Sequence, residues 1–202
     1  LLVNNPKLFF ERLGKRIRKI YLRCKRNDFV YTTKHDHPML CFQSWPSSYT
    51  KYIDMESEKC ECDILKQWLR KGDYAIDAGV NVGYYTTLMA DCVGSEGRVL
   101  AIEPSPNTCD YLRQMLDRLK LSQVVLFEFA LTETPGEVTF YISEDAQRDY
   151  AESLKPREQD KKCFKPITVQ GKSFGQVLRE FGGNPSCVKL DIEGAELPAL
   201  QD

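Results

Sequence analysis

No long apolar run occurs anywhere in the 202 residues, and nothing approaches the ~20 residues that a membrane span requires. No apolar block follows the early charges, so a secretory leader is not expected either. Histidine is scarce, with only His35 and His37. None of the eight cysteines forms a C-x-x-C pair. The nearest thing to a metal cluster, Cys60-Glu61-Cys62 with His35-Asp36-His37, lacks the usual ligand spacing, and no metal is expected. The cysteines read as reduced, packed thiols, which points to the cytoplasm. Charge of one sign is missing too. The net charge of -1 excludes a chain built as a whole for nucleic acid. There are no internal repeats.

What is present is a soluble globular composition, 42% hydrophobic and 28% charged, enough for one core plus an extension. The expected division is a basic helix and hairpin over 1–55 and an α/β domain over 56–202. Residues 1–26 hold nine Lys/Arg (Lys7, Arg12, Lys15, Arg16, Arg18, Lys19, Arg23, Lys25, Arg26) against one acid, Glu11. Phe9, Leu13, Ile17, Ile20, Tyr21 and Cys24 follow helical spacing. Such a helix either rests on an anionic membrane surface or a partner, or packs its stripe on the core with a solvated basic face. The second arrangement is the commoner one and is the expectation. The oligomeric state is left open.

Short strands are expected over 28–33 and 39–42, with His35-Asp36-His37-Pro38 as the turn. Trp45 to Ser48 reads as a loop. A helix over about 57–70 places Cys60, Ile64 and Trp68 on one stripe, with Leu65 and Leu69 beside it, and ends at Gly72. Strands then alternate with helices: strand 74–78, helix 83–92, strand 98–103, helix 107–121, strand 124–130. Strand 137–142, a polar loop over 143–162, strand 164–169, helix 173–181 and strand 187–191 follow. That alternation predicts a Rossmann-like α/β fold around a mostly parallel sheet.

The chemistry sits where two of these strands stop. Tyr74-Ala75-Ile76 runs into Asp77-Ala78-Gly79-Val80-Asn81-Val82-Gly83, and the next strand ends on Ile102-Glu103-Pro104. Glycine allows close backbone approach, and an acid one strand over can accept both ribose hydroxyls. The spacing is D-x-G-x-x-x-G, with Asn81 where a dinucleotide fingerprint needs its second glycine. That argues against NAD and a hydride-transfer enzyme. It suits a nucleoside without phosphates, such as S-adenosylmethionine, whose ammonium and carboxylate match Asp77 and the amides of the Gly79 turn. Ligands of open parallel sheets lie beyond the carboxyl ends of the strands. The turn from Asp77 through Ala78, Gly79, Asn81 and Gly83 would then cradle the methionine part. Glu103 would hold the ribose, and Pro104, Ser105 and Asn107 the adenine. Each has a plainer alternative: Asp77 and Asn107 as helix caps, Tyr84 and Tyr85 as helix-face aromatics, Asp191 and Glu193 as acids of a turn, Glu128 as a surface carboxylate.

The octapeptide Lys189-Leu190-Asp191-Ile192-Glu193-Gly194-Ala195-Glu196, with Asp77 to Thr86 and Ile102 to Pro106, closely resembles the FkbM family of S-adenosylmethionine-dependent methyltransferases over about residues 56–202. The resemblance implies O-methylation of a hydroxyl on a sugar, glycan or secondary metabolite. It places Tyr84, Tyr85 and Thr86 with the cofactor turn, Ala130 and Leu131 over the adenine, and Glu58 near the methionine part. Asp191 would position cofactor and acceptor, with Glu193 the weaker base candidate. Glu196 or a histidine swung in from the hairpin are further options. It also implies further strands beyond Asp202 that complete the sheet and the acceptor pocket. A truncated or degenerate member that binds the cofactor without transferring its methyl is the alternative from another class.

Overall fold

A computed structural model describes residues 6–25, 27–42, 52, 53, 55, 58–143, 154 and 164–201. In chain order its elements are α1 (Pro6–Arg23), β1 (Phe29–Thr32), β2 (Pro38–Cys41), α2 (Lys59–Trp68), β3 (Tyr74–Ala78), α3 (Tyr84–Val93), β4 (Arg98–Ile102), α4 (Pro106–Arg118), β5 (Val124–Phe127), β6 (Ala130–Leu131), β7 (Gly136–Ser143), β8 (Phe164–Lys172), α5 (Phe174–Phe181), β9 (Cys187–Leu190) and α6 (Glu196–Ala199). The expected loop at Trp45 to Ser48 and nearly all of the polar loop over 143–162 lie outside the described residues.

The central sheet is parallel throughout, in the order β5-β4-β3-β9. Both faces are covered, which is why its strands read as near-continuous apolar runs. The alternation of side chains sorts them into two layers. Ala75, Val99 and Ala101 join the layer of α3, α4 and the hairpin, whereas Ile76, Ala78, Leu100 and Ile102 join that of α5 and α6. Asp77 therefore falls on the α3 side, and Lys189, its register partner on β9, falls beside it.

The strands expected over 137–142 and 164–169 run longer and pair antiparallel as β7 and β8 in a sheet of their own. β6 adds to that sheet in parallel with the end of β8. The strand expected over 124–130 is accordingly two, broken after Phe127: β5 stays in the core, and Ala130–Leu131 crosses to the second sheet. Gly171 makes this crossing possible, since a Cβ there would lie 2.6 Å from Thr132 Oγ1.

The hairpin β1–β2 is built into the core. Met39, Leu40, Cys41 and Phe42 are buried in one cluster with Leu88, Met89 and Leu112. The Tyr52 and Tyr111 hydroxyls lie against one another and 3.1 and 2.9 Å from Leu40 O, so that one donates to the carbonyl and the other to its neighbour, which ties β2 to α4. Burial raises the Cys41 thiol to about 12, and the seven described cysteines are free.

Two helix faces differ from expectation. On α2 the inward residues are Cys62 and Leu65, followed by Leu69, while Ile64 (58% exposed) and Trp68 (67%) face out. Both sets satisfy helical spacing. Packing against α3 selects the first, and Trp68 instead donates its indole N–H to Ser186 O at 2.8 Å. The helix stops at Trp68, and Gly72 (φ 87°) lies in the turn beyond rather than at the cap. On α1 the expected stripe faces solvent: Leu13, Ile17, Ile20 and Tyr21 are 40–59% exposed, Phe10 is exposed with them, and Leu22 is buried instead. The expectation that the stripe packs on the core is overturned. The helix meets the body through the other side, with Arg18 donating to the Tyr31 hydroxyl.

Candidate functional site

A cleft opens above the carboxyl ends of β3, β4 and β9, where ligands of open parallel sheets lie. Gly79, Asn81, Glu103, Pro104, Ala130, Leu131, Asp191 and Glu193 line it among the expected residues. Ile102, Thr108, Phe129, Phe140, Leu154 and Ile192 complete the lining and were not anticipated. They supply its apolar wall, and the break after β5 is what brings Phe129 there.

The turn after β3 owes its shape to left-handed residues at Gly79 (φ 77°), Asn81 (φ 52°) and Gly83 (φ 80°). A Cβ on Gly79 would stand 1.8 Å from Asp191 O, so the two turns touch backbone to backbone. A Cβ on Gly83 would strike Met115 and Leu112 of α4, at 2.4 and 3.0 Å. Both glycines are thus required by sterics as well as by φ.

Glu103 is buried and fixed. Its Oε2 accepts from Asn81 N at 2.9 Å and its Oε1 from Ser105 N at 3.0 Å. Each carboxylate oxygen can accept more than one hydrogen bond, so two amides orient the group without exhausting it. Asp77 is fully buried, and Thr86 donates to its Oδ2 at 2.6 Å. Its Oδ1 has no hydrogen-bond partner, only an ion pair with Lys189 Nζ at 3.4 Å. The same ammonium lies 3.5 Å from Asp191 Oδ2 and 5.0 Å from the Tyr85 ring centre. Tyr85 donates its hydroxyl to Glu58, so Glu58 reaches the site through Tyr85. Burial, and secondarily this carboxylate, raise the Tyr85 phenol above its ordinary range. Lys189 had no assigned role. A lysine inside an otherwise apolar strand, Val188-Lys189-Leu190, was the available signal.

Beyond β9, Glu193 adopts φ 54°, so the in-strand relation that would aim it with Asp191 is broken. Glu196 Oε1 accepts from Ile192 N (2.9 Å) and Gly194 N (3.2 Å) and fastens this turn. Burial pushes the Glu196 carboxyl up, but its backbone hydrogen bonds outweigh that and hold it below the ordinary range.

Other expected residues stand apart from the lining. Tyr84 is buried in the core against His37, with ring centres 4.7 Å apart. Asn107 is exposed on α4, whose N-cap is Ser105 with Pro106 as first residue. Glu128 pairs on the surface with Arg113. His35 and His37 are buried beneath α3 and do not face the cleft: His37 Nδ1 meets Thr33 Oγ1 at 2.9 Å. Desolvation lowers the His37 pKa to about 4. Ala78 and Gly83 shape the turn from behind the lining.

A model of the methyltransferase FkbM domain matches residues 77–202. The chain belongs to the FkbM methyltransferase family. A model of the protein-L-isoaspartate O-methyltransferases also matches, over residues 10–131. The hexuronic acid methyltransferase AglP of Haloferax volcanii is 27% identical over 150 residues, covering 73% of this chain and 57% of that one. The chain thus spans little more than half the length of that relative. A protein-L-isoaspartate O-methyltransferase of Ignicoccus hospitalis is 36% identical over 58 residues, 29% of this chain and 28% of its own. The solved methyltransferase FkbM of Methylobacillus flagellatus KT aligns with a TM-score of 0.44 at 16% identity, covering 77% of this chain and 40% of that one.

The cofactor is S-adenosylmethionine. The residues of the rim fit it. Glu103 lines the cleft and keeps acceptor capacity beyond its two amides, and Phe129, Ala130 and Leu131 offer the apolar surface that an adenine face needs.

Proposed function

We propose that this FkbM protein transfers a methyl group from S-adenosylmethionine to a hydroxyl of a sugar, glycan or hydroxylated small molecule, in the cytoplasm. The observation that carries the reading is the backbone contact of the Gly79 turn with Asp191, which sets an acidic turn directly against the cofactor turn. The hexuronic acid methyltransferase relative supports a sugar acceptor. The free cysteines fit a reducing compartment. Nucleic acid is not the expected partner at a net charge of -1.

S-adenosylmethionine supplies a methyl group made electrophilic by its sulfonium. Glu103 would accept the ribose hydroxyls, and the turn from Gly79 to Gly83, whose Gly79, Val80 and Asn81 amides are held by Ile102 O and Glu103, would pack along the methionyl part with Asp77 buried behind it. Lys189 balances the paired charges of Asp77 and Asp191, and Tyr85 with Glu58 steadies Lys189. Asp191 would orient the acceptor hydroxyl, and Glu193, at the mouth of the cleft, would take its proton. The apolar wall excludes water from the methyl group.

Titration with S-adenosylhomocysteine and NADH by calorimetry tests the cofactor assignment. S-adenosylhomocysteine is expected to bind and NADH not; the reverse would overturn it. Glu103→Gln should weaken binding by about 1–3 kcal/mol through loss of charge-assisted hydrogen bonds, and unchanged affinity would remove Glu103 from the ribose site. Incubation with labelled S-adenosylmethionine and hexuronic acids or other hydroxylated glycans separates an enzyme from a protein that binds the cofactor without transferring the methyl.

A further inference from the structure

We propose that α1 is an in-plane membrane anchor that seats this chain on a bilayer surface containing anionic phospholipids. Phe10, Leu13, Ile17, Ile20 and Tyr21 lie within an arc of about 100° at the 3.6-residue period, and all are exposed. The side of α1 turned toward the body carries Leu22, Arg18 and Lys15. Docking onto the protein therefore uses the polar flank and leaves the apolar stripe outward, the reverse of a helix that packs on its own core.

Charge decides the occupant. Residues 1–26 carry nine basic residues against one acid. Arg12 and Arg16 are exposed on one side of the stripe, and Lys25 is exposed on the other, over the Tyr21 ring at 4.9 Å. Basic side chains flanking an apolar stripe of this width match the headgroup and acyl layers of an anionic leaflet. A polyanion such as nucleic acid would take the charges and leave the stripe wet. A second copy would oppose two strongly basic helices. No described helix is long and apolar enough to cross a membrane, so the contact is peripheral.

Co-sedimentation of the full chain with vesicles tests this. Vesicles of phosphatidylcholine with phosphatidylserine should hold it at least about tenfold more tightly than phosphatidylcholine alone, and added salt should weaken the binding. Ile17→Glu, on the exposed stripe, should lower binding about tenfold or more while S-adenosylhomocysteine affinity and melting temperature stay unchanged. Arg16→Gln should lower it about fivefold and flatten the salt dependence. A chain that stays in the supernatant with both vesicle types would overturn the proposal. So would Ile17→Glu binding like the parent, or a dimer in light scattering that Ile17→Glu dissolves, which would assign the stripe to a second copy.

Discussion

The rim at the carboxyl ends of β3 and β4 and the β1–β2 hairpin both put polar side chains into the dry interior, and both leave an atom there without a hydrogen bond, Asp77 Oδ1 in one and His37 Nε2 in the other. At the rim, Asp77 and Glu103 are held by Thr86 and two backbone amides, and Asp77 still has an oxygen that accepts no hydrogen bond. In the hairpin, His37 is closed in by Thr33 and the edge of Tyr84, with no cleft beside it. Burial alone therefore does not mark a site in this molecule. Glu103 differs from both in that it lines the cleft while two backbone amides fix its carboxylate.

The largest effect should come from breaking the rim. Gly79→Ala places a methyl group against Asp191 O at a left-handed φ, and a loss of roughly 3 kcal/mol or more in stability is expected, with cofactor binding abolished. Chemical denaturation and calorimetry would check it; near-parent affinity would show that the two turns can part freely.

The hairpin should reveal itself through pH. His37 is neutral in the folded protein and titrates near 4, below its unfolded value of 6.5. Its contribution is thus complete above pH 6.5 and is lost as pH falls toward 4, because the unfolded chain binds the extra proton. The expected loss across that window is roughly 3 kcal/mol. His37→Gln should flatten the slope of stability with pH while leaving S-adenosylhomocysteine affinity at pH 8 near the parent value. A slope that survives the substitution would place its origin elsewhere.

The smallest effect should come from Glu196, which fastens the acceptor-side turn from outside. Its carboxyl lies below the ordinary range, so its contribution is present above that range and disappears as pH falls through the lowered value. Glu196→Gln should cost about 1 kcal/mol at neutral pH and less at pH 3, measured by urea unfolding.

The same contrast explains what could be read from the sequence. At the strand ends glycine and acid leave few alternatives: Gly79, Glu103 and Asp191 line one cleft, and Asp77 is buried beside Lys189. The parallel core was legible for the same reason, since each strand is a short apolar run closed by a turn. The facing of α1 and α2 was not. On α2, Cys62-Leu65-Leu69 and Cys60-Ile64-Trp68 fit the helical period equally well, and only packing against α3 separates them. On α1 the stripe was plain but not what it faces. Lys189 was hidden by its setting, because its partner Asp77 is more than a hundred residues away and only strand register joins them. The separate β6–β8–β7 sheet was hidden for a related reason: strand pairing direction depends on a crossing at Gly171 that leaves no local mark.

The touching turns at Gly79 and Asp191 also limit how an FkbM protein can change its substrate. With less than one methyl group's width between them, the Gly79 turn and the Asp191 turn behave as one rigid jaw. Selectivity is then freer to drift along the far wall, at Phe140 and Leu154, than in the acidic loop itself.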